Sequence, residues 1–450
     1  LDILVNGRQY QKEAIIDTVI FLASGLYKNT TDLVEKNWNN NENVELKNRY
    51  SNSDDYLHHL QIPNKLSVSI DLATGTGKSY VIYGIAQIML GLGLVDRVLV
   101  LCPSLTIEDG LTEKFIGLSS DNKLVNAIPE NAKWKNPSIK SADVTIKEGD
   151  ICIENIHAAY ETTGSSIRDS FKGNGEKTLV LNDEAHHIYN KIEGRSKENT
   201  SLKKWKEFLL NPDFNFKYIA GFTGTAYIDD EYFNDVIYRY SLRQAVDDKM
   251  VKMVDYISKD DDIDKDIKFQ KIYDNHDQNK QNYRKIKPLT ILITKDIKNA
   301  KRLLTDISEF LMKRENLSEK EVEEKTLIVT SHNDHKVNIQ KLKEVDNYDN
   351  PIEWIISVSM LTEGWDVKNV FQIVPWEDRA FNSKLLIAQV LGRGLRIPPE
   401  YQSPQPKVRI FNHDSWSRNI KGLVDEILEI EKRLISTPLI NGDRDKYHFE

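Results

Sequence analysis

Cysteine is rare in this 450-residue chain, which has only Cys102 and Cys152. Both lie inside apolar runs, so we interpret them as reduced core residues rather than as a disulfide or a metal site. No apolar run approaches the roughly 20 residues that a transmembrane helix needs, and no signal peptide is visible. These absences argue against a disulfide-stapled or membrane-spanning protein, and we expect the chain to be cytoplasmic.

The chain also has no excess of positive charge, since its formal net charge is −8 at pH 7. A nucleic-acid-binding protein is often basic, but a single local groove can supply that charge. The net charge therefore does not identify a partner. Hydrophobic residues make up 40% of the chain and charged residues 29%, which is typical of a soluble protein with buried cores.

A loop of small residues separates a strand pattern, Leu66–Leu72, from a helical pattern that starts at Tyr80. Glycines let backbone N–H groups face phosphates, and a helix N-terminus favours an anion. The lysine can reach the phosphates and the serine can place its hydroxyl on Mg²⁺. Because Leu72 replaces the first glycine of the generic P-loop, a kinase or small GTPase is disfavoured. The loop predicted to bind ATP consists of Thr74, Gly75, Thr76, Gly77, Lys78 and Ser79.

Two adjacent carboxylates, Asp183 and Glu184, follow the apolar strand Thr178–Asn182. Ligands bind at the carboxyl ends of parallel strands, so we expect both at the ATP site. Asp183 would hold Mg²⁺, mostly through water, and Glu184 would deprotonate the attacking water. Adjacent side chains of a strand point in opposite directions, so both carboxylates can face the ATP site only if the chain turns after Asp183. For His186 we favour a hydrogen bond to another motif over metal ligation, because no further Cys or His lies at metal spacing.

A third strand ends at Thr223-Gly224-Thr225, whose two hydroxyls could couple the ATP site to a track by hydrogen bonds. Near the other end of the chain, Gly364 allows a close backbone approach and Asp366 could accept a ribose hydroxyl. Three polar residues then recur on one helix face at i, i+4 and i+7. They are Gln389, Arg393 and Arg396, and two arginines suit the charge of a phosphoryl-transfer transition state.

Strand patterns alternate with helical patterns in two series, which predicts two tandem α/β domains with parallel sheets. We assign 1–250 to the first domain, with a polar, Asn-rich inserted loop at about 28–64. A charged linker (251–287), the second domain (288–415) and a helical extension (416–450) follow. The predicted strands are Leu66–Leu72, Val98–Cys102, Asp150–Glu154, Thr178–Asn182, Tyr218–Thr223, Leu289–Thr294, Thr326–Ser331, Trp354–Met360, Val370–Val374 and 407–414.

These motifs, in this order, resemble those of superfamily 2 helicases and translocases of the DEAD/DEAH-box type. The run from Glu363 to Val370 and the segment Gly392–Pro398 are most similar to the Res (motor) subunit of type III restriction enzymes and to related phage-defence helicases. The resemblance implies two RecA-like domains with an ATP cleft between them. It also implies that Gln11 reads the adenine, that Gly364 and Asp366 touch the nucleotide, and that Arg396 is the arginine finger beside Arg393. Coupling of hydrolysis to movement would fall to His186, Thr223, Thr225 and Gln389.

The implied function is that of an ATP-dependent DNA translocase or helicase in restriction or anti-phage defence. Pro103 and Ser104 match the place where such motors hold the phosphates of the strand. A methyltransferase or another defence subunit would be its partner. Two alternatives stay open, an RNA helicase and an ATP-gated binding switch that does not translocate. No metal-nuclease constellation is visible in residues 400–450, so we do not predict DNA cleavage by this chain.

Overall fold

The computed structural model describes ten stretches of the chain. They are 1–40, 43–160, 165–189, 204–228, 231–257, 264–330, 335–358, 367–376, 394–401 and 403–411. Proximity of Cα atoms divides the chain into two compact units. Among the described residues, the first contains Leu1–Ala73 and Gly77–Ser241, and the second contains Thr74–Thr76 and those from Leu242 to Phe411. The helical extension predicted for 416–450 lies outside the described residues.

Helices of the first unit surround one large sheet. They are α1 (Asp2–Val5), α2 (Gln9–Ala23), α3 (Thr30–Asn39), α4 (Val44–Arg49), α5 (Ser53–His58), α6 (Lys78–Gly91), α7 (Leu105–Ser119), α8 (Asn122–Ala127), α9 (Ile167–Phe171), α10 (His186–Tyr189) and α11 (Trp205–Leu210). Within the described residues of both units, no helix combines the length and hydrophobicity that a bilayer crossing needs.

Helices α3 to α5 occupy the segment for which we predicted an inserted loop, and that prediction is wrong. The side chains of Asn29 and Asn52 accept hydrogen bonds from the first turns of α3 and α5. Leu33 and Tyr56 are buried beneath these helices. Asparagine favours both loops and helix N-caps, so an Asn-rich composition does not distinguish the two.

Seven parallel strands form the first sheet, in the order β3-β4-β2-β5-β6-β1-β9. The described strands of this unit are β1 (Leu66–Leu72), β2 (Arg97–Cys102), β3 (Ser138–Lys140), β4 (Asp150–Asn155), β5 (Thr178–Asp183), β6 (Tyr218–Thr223), β7 (Tyr227–Ile228), β8 (Glu231–Tyr232) and β9 (Val236–Tyr240). Strands β7 and β8 form a separate antiparallel pair. Because β5, β6 and β1 are neighbours, the loops that follow them meet at one carboxyl edge.

The second unit contains a six-stranded parallel sheet in the order β10-β15-β14-β11-β13-β12. Its elements are α12 (Leu242–Asp247), β10 (Met253–Ile257), α13 (Lys265–Asn282), β11 (Leu289–Thr294), α14 (Ile297–Glu315), α15 (Glu319–Lys325), β12 (Thr326–Val329), α16 (Lys336–Lys341), β13 (Trp354–Val358), β14 (Val370–Pro375) and β15 (Lys407–Phe411). Short 3₁₀ turns lie at Ile156–Tyr160, Gly175–Lys177, Leu342–Glu344 and Pro399–Tyr401.

The charged stretch predicted as a linker contains strand β10 and the 18-residue helix α13, so the linker prediction is wrong. Asp264 caps α13 by accepting hydrogen bonds from the N–H groups of Asp266 and Ile267. Phe269 and Ile272 are buried against the sheet on one face of the helix. The polar residues of the other faces lower the average hydrophobicity, which hides this apolar stripe.

Candidate active site

The loop between β1 and α6 has the backbone that a phosphate-binding turn needs. Gly75 and Gly77 have φ angles of 85° and 87°, in the left-handed region that favours glycine. Gly77 is the N-cap of α6, so Lys78 is the first residue of that helix and Ser79 the second. A Cβ atom on Gly77 would lie 2.5 Å from Nε2 of Gln11, so a side chain there would have to displace Gln11 as well as adopt a strained backbone.

Gln11 is fully buried and lies directly against this loop. Its neighbour Tyr10 stacks on Tyr240 with ring centroids 3.8 Å apart. The carbonyl of Tyr240, at the end of β9, accepts a hydrogen bond of 2.9 Å from the N–H of Ala73. Helix α2 and strand β9 therefore bring Gln11 to the loop that contains Lys78.

The acidic pair faces Lys78 from the end of β5. The ammonium of Lys78 donates to Oε1 of Glu184 over 2.7 Å and lies 3.6 Å from Oδ1 of Asp183. Glu184 has a φ of 53°, so the chain turns directly after the strand, as the pairing of the two carboxylates requires. The N–H of Glu184 donates to Oδ1 of Asp183, and this bond stabilises the turn.

His186 connects the acidic pair to the end of β6. Its Nδ1 lies 2.9 Å from Oγ1 of Thr223 and 3.2 Å from Oγ1 of Thr225. The same nitrogen is 3.6 Å from Oε2 of Glu184. His186, Thr223 and Thr225 are all buried. Lys78 and Glu184 therefore form one hydrogen-bonded group and His186 with the two threonines another, and the two groups are 3.6 Å apart between Glu184 and His186.

A second buried pair lies behind the loop, and none of the sequence motifs includes it. Asp71 of β1 lies 3.4 Å from Nε of Arg239, its partner on β9, and accepts a hydrogen bond of 2.9 Å from the hydroxyl of Tyr232. Burial raises the pKa of the Asp71 carboxyl, and the nearby arginine opposes that rise. An aspartate inside the apolar run Leu66–Leu72 was the available signal, because a buried carboxylate needs a partner.

Pro103 and Ser104 lie between β2 and α7, at the carboxyl end of the strand next to β5. Ser104 is the N-cap of the 15-residue helix α7, but its hydroxyl makes no cap hydrogen bond. That oxygen is buried and has no hydrogen-bond partner among the described residues. Glu108 of the same helix accepts hydrogen bonds from the backbone and side-chain N–H groups of Asn155 at the end of β4.

Of the remaining predicted residues, the structure describes Arg396, which belongs to the second unit. Arg396 is half-buried and follows Leu395, whose side chain is fully buried. Gly364, Asp366, Gln389 and Arg393 lie outside the described residues. The first unit thus brings together Gln11, the P-loop residues Gly77, Lys78 and Ser79, the acidic pair, His186 and the two threonines.

Comparison with known families gives one match for the first half of the chain. A family model described as "Type III restriction enzyme, res subunit" matches residues 4–228, which is half of the 450 residues. Comparison with curated proteins gives no match.

Comparison with solved structures gives many matches. One is a fragment described as an HsdR subunit of a type I restriction enzyme from Vibrio vulnificus YJ016, with a TM-score of 0.52 and 18% identity. Another is the helicase Lhr of Mycobacterium smegmatis bound to ssDNA and AMP-PNP, with a TM-score of 0.51 and 13% identity. Each match covers 80% of this chain, which spans only 62% and 46% of those two proteins.

The parallel sheets of the chain are those of RecA-like helicase domains, so the predicted α/β fold class is confirmed. The strand predictions also hold closely, since β1, β6 and β11 have the predicted bounds. The roles of the individual site residues stay predictions.

Proposed function

Since this chain belongs to the family of the res subunit of type III restriction enzymes, we propose that it is an ATP-driven motor that moves along DNA. One observation carries this proposal. The first helical residue after a glycine-containing turn, Lys78, faces two adjacent carboxylates, Asp183 and Glu184, at the carboxyl edge of a parallel sheet. This is the arrangement that ATP hydrolysis requires, because it combines a phosphate-binding cation with a general base.

In this proposal the P-loop, from Thr74 to Ser79, binds the phosphates of ATP. Its N–H groups and the N-terminus of α6 supply a positive field, and Lys78 supplies a full charge. Gln11 lies against Gly77 and would hydrogen-bond the adenine. Glu184 would orient the attacking water and accept its proton, and it is already held by Lys78 and close to His186.

The side chains of Ser79 and Asp183 fit a magnesium ion, because both offer oxygen donors and Mg²⁺ prefers oxygen ligands and keeps several waters. The carboxylate of Asp183 is largely buried at the end of β5, and Lys78 lies beside it. When bound, the ion neutralises phosphate charge. The chain's own contribution is to fix the carboxylate, which the hydrogen bond from the N–H of Glu184 supports.

Coupling of hydrolysis to movement is proposed for His186, Thr223 and Thr225. Their hydrogen bonds join the end of β5 to the end of β6. A change at Glu184 would therefore be felt by both threonines without passing through water. This network supports a motor over a binding switch, because a switch does not need a link between the base and a second loop.

Contact with the nucleic acid is proposed for Pro103 and Ser104. The hydroxyl of Ser104, which has no partner within the described part of the chain, and the N-terminus of α7 are both suited to a backbone phosphate. Such contacts carry no sequence information, so we expect no base specificity from this region. DNA is the proposed track because the family is one of restriction enzymes. A methyltransferase or another defence subunit as partner, and a cytoplasmic location, are expectations of the same proposal.

In the second unit we propose Arg396 as the arginine finger, with Arg393, Gln389, Gly364 and Asp366 in the roles that the resemblance implies. Two arginines near a phosphoryl group would stabilise its transition state.

The steady-state ATPase rate tests this function when it is measured alone and with single-stranded DNA, duplex DNA and RNA. The Lys78→Ala variant is the negative control for ATP hydrolysis. Stimulation by DNA above that by RNA would support the proposal. Stimulation by RNA alone would make the chain an RNA helicase, and hydrolysis that is indifferent to every nucleic acid would favour the switch.

A further inference from the structure

Lys252 is a fully buried lysine between α12 and β10, and none of the predicted motifs includes it. Its ammonium donates three hydrogen bonds to backbone carbonyls, those of Lys368 at 2.6 Å, Val370 at 2.7 Å and Gly394 at 3.1 Å. Three acceptors match the three donors of an ammonium group. The ring of Phe371 lies 4.4 Å from the same nitrogen and adds a cation–π contact.

These carbonyls belong to two segments that both lie far from Lys252 in the chain. One enters strand β14, and the other leads into Arg396. Their contacts with Lys252 span 116 and 142 residues of sequence. The backbone N–H of Lys252 also donates to the carbonyl of Leu395 over 2.6 Å. Lys252 therefore binds Gly394 through its side chain and Leu395 through its main chain, immediately before the arginine.

Asp346 binds backbone N–H groups of the first segment, 368–370. Its carboxylate accepts hydrogen bonds from the N–H groups of Lys368 at 2.8 Å and Asn369 at 3.0 Å. Burial lowers the pKa of Lys252, and the negative charge of Asp346 opposes that shift. Carbonyls and amides of one short segment are thus held by the buried side chain of Lys252 and by the carboxylate of Asp346.

The second segment packs directly on the sheet. A Cβ atom on Gly394 would lie 2.6 Å from Cδ1 of Ile373, a residue of β14. The side chain of Leu395 is fully buried. The backbone from which the side chain of Arg396 extends is therefore fixed on both sides, by β14 and by Lys252.

We propose that Lys252 is a positioning residue for Arg396, which it holds in place for ATP hydrolysis by tying 394–395 to 368–370. This inference rests on the proposed function, because it takes Arg396 as the arginine finger. The competing explanation is that Lys252 only stabilises the second unit. The two differ in where the effect appears, since a stabilising residue lowers the unfolding temperature, whereas a positioning residue acts through the arginine.

The first test is hydrogen exchange on the full chain with Lys252→Met, which keeps an unbranched buried side chain but removes all three donors. Peptides that cover 394–401 and 367–371 should exchange faster than in the wild type, at a temperature well below unfolding. Lys287→Met is the matched control, because Lys287 is a buried lysine of the same unit whose ammonium donates to the carbonyl of Asn350. If exchange in 394–401 is unchanged by Lys252→Met, the proposal is wrong.

The second test is a double-mutant cycle on the ATPase rate. Lys252→Met should lower kcat by up to about 10²-fold, the loss that a misplacement of about 1 Å can cause, and should change KM for ATP far less. If Lys252 acts through Arg396, the variant with both Lys252→Met and Arg396→Ala will be no slower than Arg396→Ala alone. If the kcat losses of the two single variants multiply in the double variant, Lys252 does not act through Arg396. The proposal for Lys252 would then be wrong, and the proposed function would be unaffected.

Normal turnover by Arg396→Ala would show that Arg396 is not an arginine finger, and this inference would then fail as well. That outcome differs from multiplying losses, which contradict only the role of Lys252. If Lys252→Met does not fold, Asp346→Asn provides the second variant. It places an amide N–H toward a backbone N–H and should loosen 367–371 and 394–401 in the same exchange experiment. Unchanged exchange in both segments would contradict the inference.

Discussion

The ammonium of Lys78 lies 2.7 Å from Oε1 of Glu184, although 106 residues separate the two in the chain. Their side chains are only 11% and 16% exposed, so solvent screens this attraction weakly. A phosphate that binds the P-loop would compete with Glu184 for the same ammonium. The contact therefore links phosphate binding to the carboxylate that we propose as the general base.

Glu184→Gln should bind ATP but hydrolyse it at least about 10²-fold more slowly, which is the low end for loss of a general base. Glutamine keeps the shape of the side chain and an oxygen that can accept from Lys78, but it cannot take a proton. Fluorescent-nucleotide binding and steady-state phosphate release measure the two effects. Glu113→Gln, an exposed glutamate on α7, is the control. Near-normal turnover by Glu184→Gln would contradict its role.

Arg396→Ala should lose turnover far more than ATP affinity, because an arginine finger acts mainly on the transition state. The expected loss in kcat is about 10³-fold or more. Comparison of kcat with KM for ATP checks this prediction, and Arg284→Ala, an exposed arginine of the same unit, is the control. An equal loss in both constants, or no loss, would argue against a finger.

Thr225→Val should separate hydrolysis from movement. Valine keeps the shape of threonine but removes the hydroxyl that lies 3.2 Å from both His186 and Thr223. One buried hydrogen bond contributes about 1 kcal/mol, so hydrolysis should fall by less than about tenfold. Displacement of a triplex-forming oligonucleotide from duplex DNA should fall much further.

The control for that experiment is Thr290→Val. Thr290 makes a similar buried bond to Nδ1 of His276, in the second unit and outside the proposed network. The two variants should lose comparable stability, but only Thr225→Val should uncouple movement from hydrolysis. Proportional loss of both activities in Thr225→Val would contradict the coupling role.

Asp235 makes the stability of the first unit depend on pH. It is 1% exposed, and burial raises the pKa of its carboxyl from 3.8 to about 7. Because the folded protein holds this proton more tightly, the contribution to stability is fully present below about pH 4 and is lost as the pH rises through 7.

Asp235→Asn stays neutral and should therefore have a higher Tm than the wild type at pH 8 and a similar Tm at pH 4. Thermal unfolding across this range measures the difference, and Asp109→Asn, an exposed aspartate on α7, is the control. A difference in Tm that does not change with pH would refute the assignment.

Local sequence pattern predicted strands that are buried along their whole length. Strands β1 and β6 are buried at every position, and their predicted bounds are correct. Strand β9 was missed because it lies at the edge of the sheet and contains Arg239 among partly exposed residues. Helix α13 was missed because its apolar stripe is narrow within a charged sequence.

The P-loop, the acidic pair and the two threonines could be predicted because each follows the end of a recognisable strand. Contacts behind the motifs could not, because they join distant segments without a local pattern. Arg239 pairs with Asp71 across the sheet, and Lys252 reaches Gly394 across 142 residues. Such partners depend on the register and packing of the folded sheet, which composition and periodicity do not encode.

The most direct test of the central claim is ATP-driven displacement of a triplex-forming oligonucleotide from duplex DNA of increasing length. We predict displacement by the wild-type chain only with ATP, with a lag that grows with the distance from the start of the DNA. Lys78→Ala should give none. Robust DNA-stimulated ATP hydrolysis without displacement at any length would contradict a motor and leave a DNA-responsive switch.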